Sequence, residues 1–224
     1  MAKTILSHPA ESRPAGSGGF HLSVIITLTL WFVLVLSLGA AGAFVGLPGN
    51  PPVAIAIGVG APLLVFIASL RLSPSFRAFI LSFDLRLITG IQAWRWAGLG
   101  FLFLYAYRVL PAVFAFPAGL GDMAIGITAP WVMLALVRQP GFASSAAFFR
   151  WNVLGILDLI VAVSVGGVSA MLSTSGQGAP STFPMATLPL VLVPAFLVPC
   201  FLMLHAVALM QRREMIRSRL GQTL

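Results

Sequence analysis

Apolar residues in this chain come in long runs, at about 22–45, 53–70, 96–115, 117–137, 151–172 and 185–210. A helix takes roughly 20 such residues to cross hydrocarbon, so the pattern predicts six spanning α-helices. Turn residues separate them at Gly46-Leu47-Pro48-Gly49-Asn50-Pro51-Pro52, at Arg138-Gln139-Pro140-Gly141 and from Ser173 to Pro180. The break near Pro111 to Pro117 carries the weakest signal. One kinked helix there, in place of two, would change the parity of the topology.

Outside the runs, residues 1–20 are polar and rich in Pro, Gly and Ser, which predicts a disordered lead. A membrane domain over 21–211 and a basic tail over 212–224 complete the organisation. Between the second and third runs, Ser73-Pro74 offers an N-cap with proline at the first helical position. Phe76, Phe79, Ile80, Phe83 and Leu87 then share one face, with Arg77, Asp84 and Arg86 elsewhere. A short interfacial helix over about 74–88 is predicted. The fold class is thus an all-α membrane protein of six transmembrane helices plus this cytoplasmic interfacial helix.

Charge sets the expected orientation, because Lys and Arg gather in cytoplasmic loops. Lys3 and Arg13 precede the first run; Arg71, Arg77, Arg86 and Arg95 follow the second; Arg138 and Arg150 follow the fourth; Arg212, Arg213, Arg217 and Arg219 follow the sixth. Twelve of the 13 cationic residues are so placed, and the segments 46–52 and 173–184 hold none. Both termini are expected in the cytoplasm, with the chain in a bacterial inner membrane. Gly39-Ala40-Ala41-Gly42-Ala43 resembles a signal-peptide end, but the run before it is long for one, and an uncleaved first span is expected.

Composition excludes a soluble domain: 59% of residues are hydrophobic, 8% are charged and the mean hydropathy is +1.02, against about 25% charged in an average soluble domain. The net charge of +8 belongs to residues flanking apolar runs, so the implied partner is the lipid bilayer, not nucleic acid. The single cysteine, Cys200, excludes an intrachain disulfide. Trp94, Trp96 and Trp151 beside arginines suit a headgroup belt. The stretch Arg95-Trp96 to Leu102 also echoes Arg150-Trp151 to Leu157, as a hairpin duplication or the interface rules alone would produce.

Asp84-Leu85-Arg86, Gln92-Ala93-Trp94-Arg95, Leu110-Pro111-Ala112, Pro117-Ala118-Gly119-Leu120-Gly121-Asp122, Gly126-Ile127-Thr128-Ala129-Pro130 and Trp151-Asn152 with Gly155 and Asp158 resemble a group of uncharacterised bacterial multi-span inner-membrane proteins. The resemblance covers about residues 70–210 and implies the architecture without an activity.

Ionisable groups inside spans are costly and mark candidate sites. Four are read as deep: Arg108, Asp122, Asp158 and His205. At about 1.5 Å per residue, Arg108 lies about 20 Å from Arg95 and Asp122 about 24 Å from Arg138, which matches them as an outer pair. Asp158 lies about 12 Å from Arg150 and His205 about 10 Å from Arg212, which matches them as an inner carboxylate–imidazole pair, the composition of a proton relay or of a helix-locking hydrogen bond. Pro189, Pro194 and Pro199 each remove a helical hydrogen bond from the sixth run, as in the broken helices that line transporter sites.

No catalytic, cofactor or metal constellation is read. A b-type haem would want two deep axial ligands, and only His205 is deep, with His8, His21, Met203 and Met210 poor alternatives. Gly119, Gly121 and Gly126 suit close helix packing. An enzyme is the least supported class. Two readings remain: a small proton-coupled transporter or channel-like carrier for a small solute, or a non-catalytic assembly or structural subunit, with homo- or hetero-oligomers compatible with either.

Overall fold

The computed structural model describes residues 17–47, 49–172 and 180–221. Most of the 1–20 lead and most of the 173–184 segment lie outside the described residues, as do His8 and Gln177. Helix α1 runs over Ser17–Ala40 and α2 over Val53–Leu72, followed by the short α3, Pro74–Leu81. The third span is composite: α4 (Leu85–Ile91), a 3₁₀ segment (Gln92–Gly98) and α5 (Leu99–Ala106). Then come α6 (Ala112–Arg138), α7 (Ala146–Leu172), a π-turn over Val193–Leu197 and α8 (Val198–Gly221). Among the described residues there is no strand, and six helical stretches are long and apolar enough to cross a membrane.

Several expected boundaries move, each for a local reason. The interfacial helix ends at Leu81 instead of 88. Ser73 Oγ accepts from the Phe76 amide at 3.2 Å, as an N-cap should, but Asp84 then accepts from the Arg86 amide at 2.8 Å and caps a new helix, α4. The third span therefore starts at Leu85, eleven residues before the expected 96, and ends at Ala106. The fourth starts at Ala112 with Pro117 inside it, so the break lies at Tyr107–Pro111 and two separate spans are retained. The sixth stretch is not one helix from 185: Pro189 precedes it, Pro194 lies in the π-turn and Pro199 in the first turn of α8, which then continues unbroken through the basic tail to Gly221.

Charge is segregated along the bundle. Arg77 of α3 pairs with Glu214 of α8 at 2.7 Å, and Arg212 donates to the Ser144 and Ser145 carbonyls before α7. The helix ends on this side also carry Arg71, Arg86, Arg138 and Arg150. Phe79, Ile80, Ile88, Phe148, Val207 and Ala208 fill the core beneath them. A second apolar cluster, Phe101, Leu110, Phe114, Ala115, Ala118 and Met185, closes the opposite end. Leu64, Leu72, Trp131 and many other large apolar side chains face outward, whereas buried positions include Thr89, Gln92, Arg95, Asn152 and His205. Apolar outside and polar within is the distribution a lipid solvent selects.

Glycine makes the tightest crossing. A Cβ on Gly126 of α6 would collide with the backbone amide of Trp96 and come within 2.7 Å of the Arg95 carbonyl carbon, so only glycine lets α6 lie against the 3₁₀ segment. Gly126→Val is expected to lower the detergent melting temperature by more than Gly100→Val, whose added carbons meet open space. The overpacking cost is about 1–3 kcal/mol, and thermal unfolding of the two variants side by side checks it.

Candidate functional site

At the middle of the bundle sits one guanidinium. Arg95 lies ten residues into the third span, about 15 Å from its start at Leu85, and its side chain is 0% exposed. Three helices supply its partners. Nε donates to Asp122 Oδ1 of α6 at 2.7 Å. Nη2 pairs with Asp158 Oδ2 of α7, and Nη1 donates to the Gly155 carbonyl of the same helix at 3.3 Å. Nη1 also meets His205 Nε2 of α8 at 3.1 Å, while the Phe201 ring lies 5.9 Å from the guanidinium carbon. The planar fork of arginine reaches all of these at once.

Guanidinium chemistry fixes the imidazole. Arginine has donors only, so His205 Nε2 must accept and its proton resides on Nδ1. That Nδ1–H donates to Asn152 Oδ1 at 2.9 Å, and Asn152 Nδ2 donates in turn to the Phe148 carbonyl at 2.9 Å. Trp151 lies edge-on to the imidazole at 5.4 Å between ring centroids and gives its own N–H to Thr128 Oγ1 at 2.9 Å. Every hydrogen-bonding nitrogen of the histidine is therefore occupied.

Glycines make the room. A Cβ on Gly98 would lie within 3.0 Å of the Gly119 carbonyl and run into Asp122. One on Gly121 would overlap the Asp158 carboxylate, and one on Gly155 would overlap the His205 ring. Each acidic or imidazole member of the cluster thus rests on a glycine of a neighbouring helix.

The four residues expected to be deep are divided differently from the expected pairs. Arg108 does not meet Asp122. It lies two residues beyond the third span, exposed, with φ +57°, where water and headgroups solvate it and no buried partner is needed. Asp122 is level with Arg95, and that is its partner. Asp158 and His205 do reach one place, but Arg95 stands between them, so the imidazole hydrogen-bonds to a guanidinium and an amide instead of a carboxylate. The residues missed were Arg95, Gln92 and Asn152. Hydropathy places Arg95 before the third span because a charge looks like the end of an apolar run. Trp94 and Trp96, correspondingly, lie on the outer surface halfway along the third span, not at its edge. The echo of Arg95-Trp96 in Arg150-Trp151 is not matched in role, since Arg150 is exposed and bonds its own helix at Ala146.

Asp122, Asp158 and His205 all face a cation, which disfavours a metal at the same place, and no group of three metal-ligating side chains occurs among the described residues. Six apolar helices around a buried ion cluster define a multi-pass membrane protein. Residues 52–212 match the model of a domain of unknown function (DUF8737), and the chain belongs to that family. No curated protein and no solved structure matches it.

Arg95→Leu is expected to be the most damaging single change in the site, about 3–5 kcal/mol, because it leaves two mostly enclosed carboxylates, 15% and 14% exposed, without a partner. Adding Asp122→Asn and Asp158→Asn to it should recover most of the loss, and Arg95→Lys should not, since an ammonium cannot span the four partners. Arg108→Ala should stay within about 0.5 kcal/mol of the parent. Melting curves in one detergent decide all four.

Proposed function

We propose that the protein is a small proton-coupled carrier of the inner membrane, with the Asp122–Arg95–Asp158 cluster as its coupling group. One observation carries the reading. Two carboxylates meet a single guanidinium inside the spans, so the cluster holds one formal negative charge in excess of its positive charge. Isolated charge at this depth is expensive, and a proton, or a cationic group on a solute, restores neutrality. Ion clusters of this kind are also poor devices for stability alone, because apolar side chains of the same volume commonly do as well or better. The interrupted approach to α8, with its π-turn at Val193–Leu197, adds support, since π-turns and broken helices recur at functional sites.

A second reading has its own observation. The guanidinium and the imidazole are almost fully bonded, as in a fixed node joining the third span to α6, α7 and α8 in a subunit that transports nothing.

The two part in proteoliposomes that trap a pH-reporting dye and are offered amino acids, organic acids, sugars, amines and inorganic cations in turn. The carrier reading expects at least one class to move internal pH in a protein-dependent way. Asp158→Asn should abolish the pH change without abolishing solute binding. No movement across the whole panel leaves the node reading standing, whereas uptake of a labelled solute with no pH change sinks the proton coupling and the node reading alike.

The same reading places the termini and the arginine-bearing end in the cytoplasm, on the distribution of Lys and Arg. Single cysteines replacing Asn50 or Tyr107 should react with a membrane-impermeant maleimide in intact cells, and a C-terminal reporter should be shielded. Labelling of either position only after permeabilisation would reverse the orientation.

A further inference from the structure

Between Arg95 and the arginine-bearing end, one face of the third span is polar and enclosed. Thr89, Gln92 and Arg95 recur at every third residue, and Thr89 and Gln92 are each 1% exposed. From Gln92 onward the backbone is 3₁₀, a geometry in which side chains three apart eclipse, so Gln92 stands directly beneath Arg95. Its Nε2 donates to the Phe201 carbonyl of α8 at 3.3 Å. Its Oε1 and the Thr89 hydroxyl have no hydrogen-bond partner among the described residues. An unmet buried polar atom is costly, and folded proteins meet such atoms with protein groups or bound water.

Two of these atoms, one helical turn apart and leading toward an ion cluster, share a chemistry. The amide oxygen accepts only, whereas the hydroxyl both accepts and donates. A water molecule, two donors and two acceptors in the smallest volume, satisfies both. The face changes character on the far side of Arg95. There it continues as Gly98 and Phe101, and Phe101 stacks edge-on against Phe114 at 5.6 Å within an apolar cluster that offers water nothing.

We propose that Thr89 and Gln92 bind a short file of internal water between α4, α6 and α8, which opens a proton route to Arg95 from the arginine-bearing end alone. Gln92 orients the water and carries no proton. The Thr89 hydroxyl and the waters relay one, each oxygen taking a proton from the side of entry and releasing another toward the cluster, with no net change in the file; an Asp122 or Asp158 carboxylate takes up the proton, since Arg95 is already protonated. The role as an entry route rests on the carrier reading; the water site itself does not.

The test needs no transport substrate. The chain has five glutamines, so ¹⁵N side-chain labelling of glutamine in nanodiscs, with Gln92→Met for assignment, isolates the Gln92 Nε2 amide, whose Oε1 holds the proposed water. Its exchange with water should slow about tenfold or more in Thr89→Val, the size of effect a lost hydrogen bond gives, and should recover in Thr89→Ser. Equal rates in the Val and Ser variants overturn the proposal. Should Thr89→Val fail to fold, the wild-type protein decides the matter: magnetisation transfer from a long-lived water to the Thr89 methyl supports the file, and its absence overturns it. A proteoliposome failure alongside slowed exchange in Thr89→Val would sink the carrier and leave the water site in place.

Discussion

A guanidinium held at the depth of the membrane centre cannot be left to solvent, and the rest of this bundle is arranged around that constraint. Arg95 draws one partner from α6, two from α7 and one from α8. The relative depth and rotation of those helices are fixed by the requirement that all four acceptors converge on one planar fork. Lipid gives helices little apolar reason to associate. Directional bonds of this kind therefore specify the packing more sharply than the two apolar clusters at the ends, which would tolerate small slides.

The glycines follow from the same constraint. Gly98, Gly121 and Gly155 are on three different helices, and each opens the place that a carboxylate or imidazole of another helix fills. Gly126 lets α6 approach the 3₁₀ segment so that Asp122 can reach Nε. The tighter 3₁₀ winding brings Gln92, Arg95 and Gly98 into line, so the arginine, the polar residue below it and the glycine above it share one face.

Much of this architecture was readable in the residues, and the errors have a common origin. Six spans followed from apolar runs and turn residues, and Ser73-Pro74 marked the start of α3. The common depth of Asp158 and His205 came from counting along two helices from Arg150 and Arg212, whose segments do meet at one end of the bundle. Asp122 and Arg108 were mispaired because the third span was started after Arg95 instead of at Leu85. Hydropathy treats an arginine as a boundary, and it cannot tell a solvated charge from one neutralised by partners more than 25 residues away. A signal for the alternative existed in Asp84, an N-cap whose helix, counted forward, puts Arg95 midway across. The motifs Gln92-Ala93-Trp94-Arg95, the segment ending in Asp122, and Trp151-Asn152 with Gly155 and Asp158 all contribute residues to the cluster.

The saturation of the cluster bears on how a carrier built this way would move. Neutralising Asp158 would take from Arg95 its charged partner on α7 and leave only the Gly155 carbonyl there. Charge-assisted bonds are roughly twice as strong as neutral ones, so the grip on α7 weakens while Asp122 keeps its hold on α6. The helix that loosens is the one whose Asn152 and Gly155 position His205, and α8, reached through His205, is preceded by a π-turn instead of a regular helix. A proton at Asp158 would thus act first on the link between the third span and α7 and spare the tight α6 crossing at Gly126.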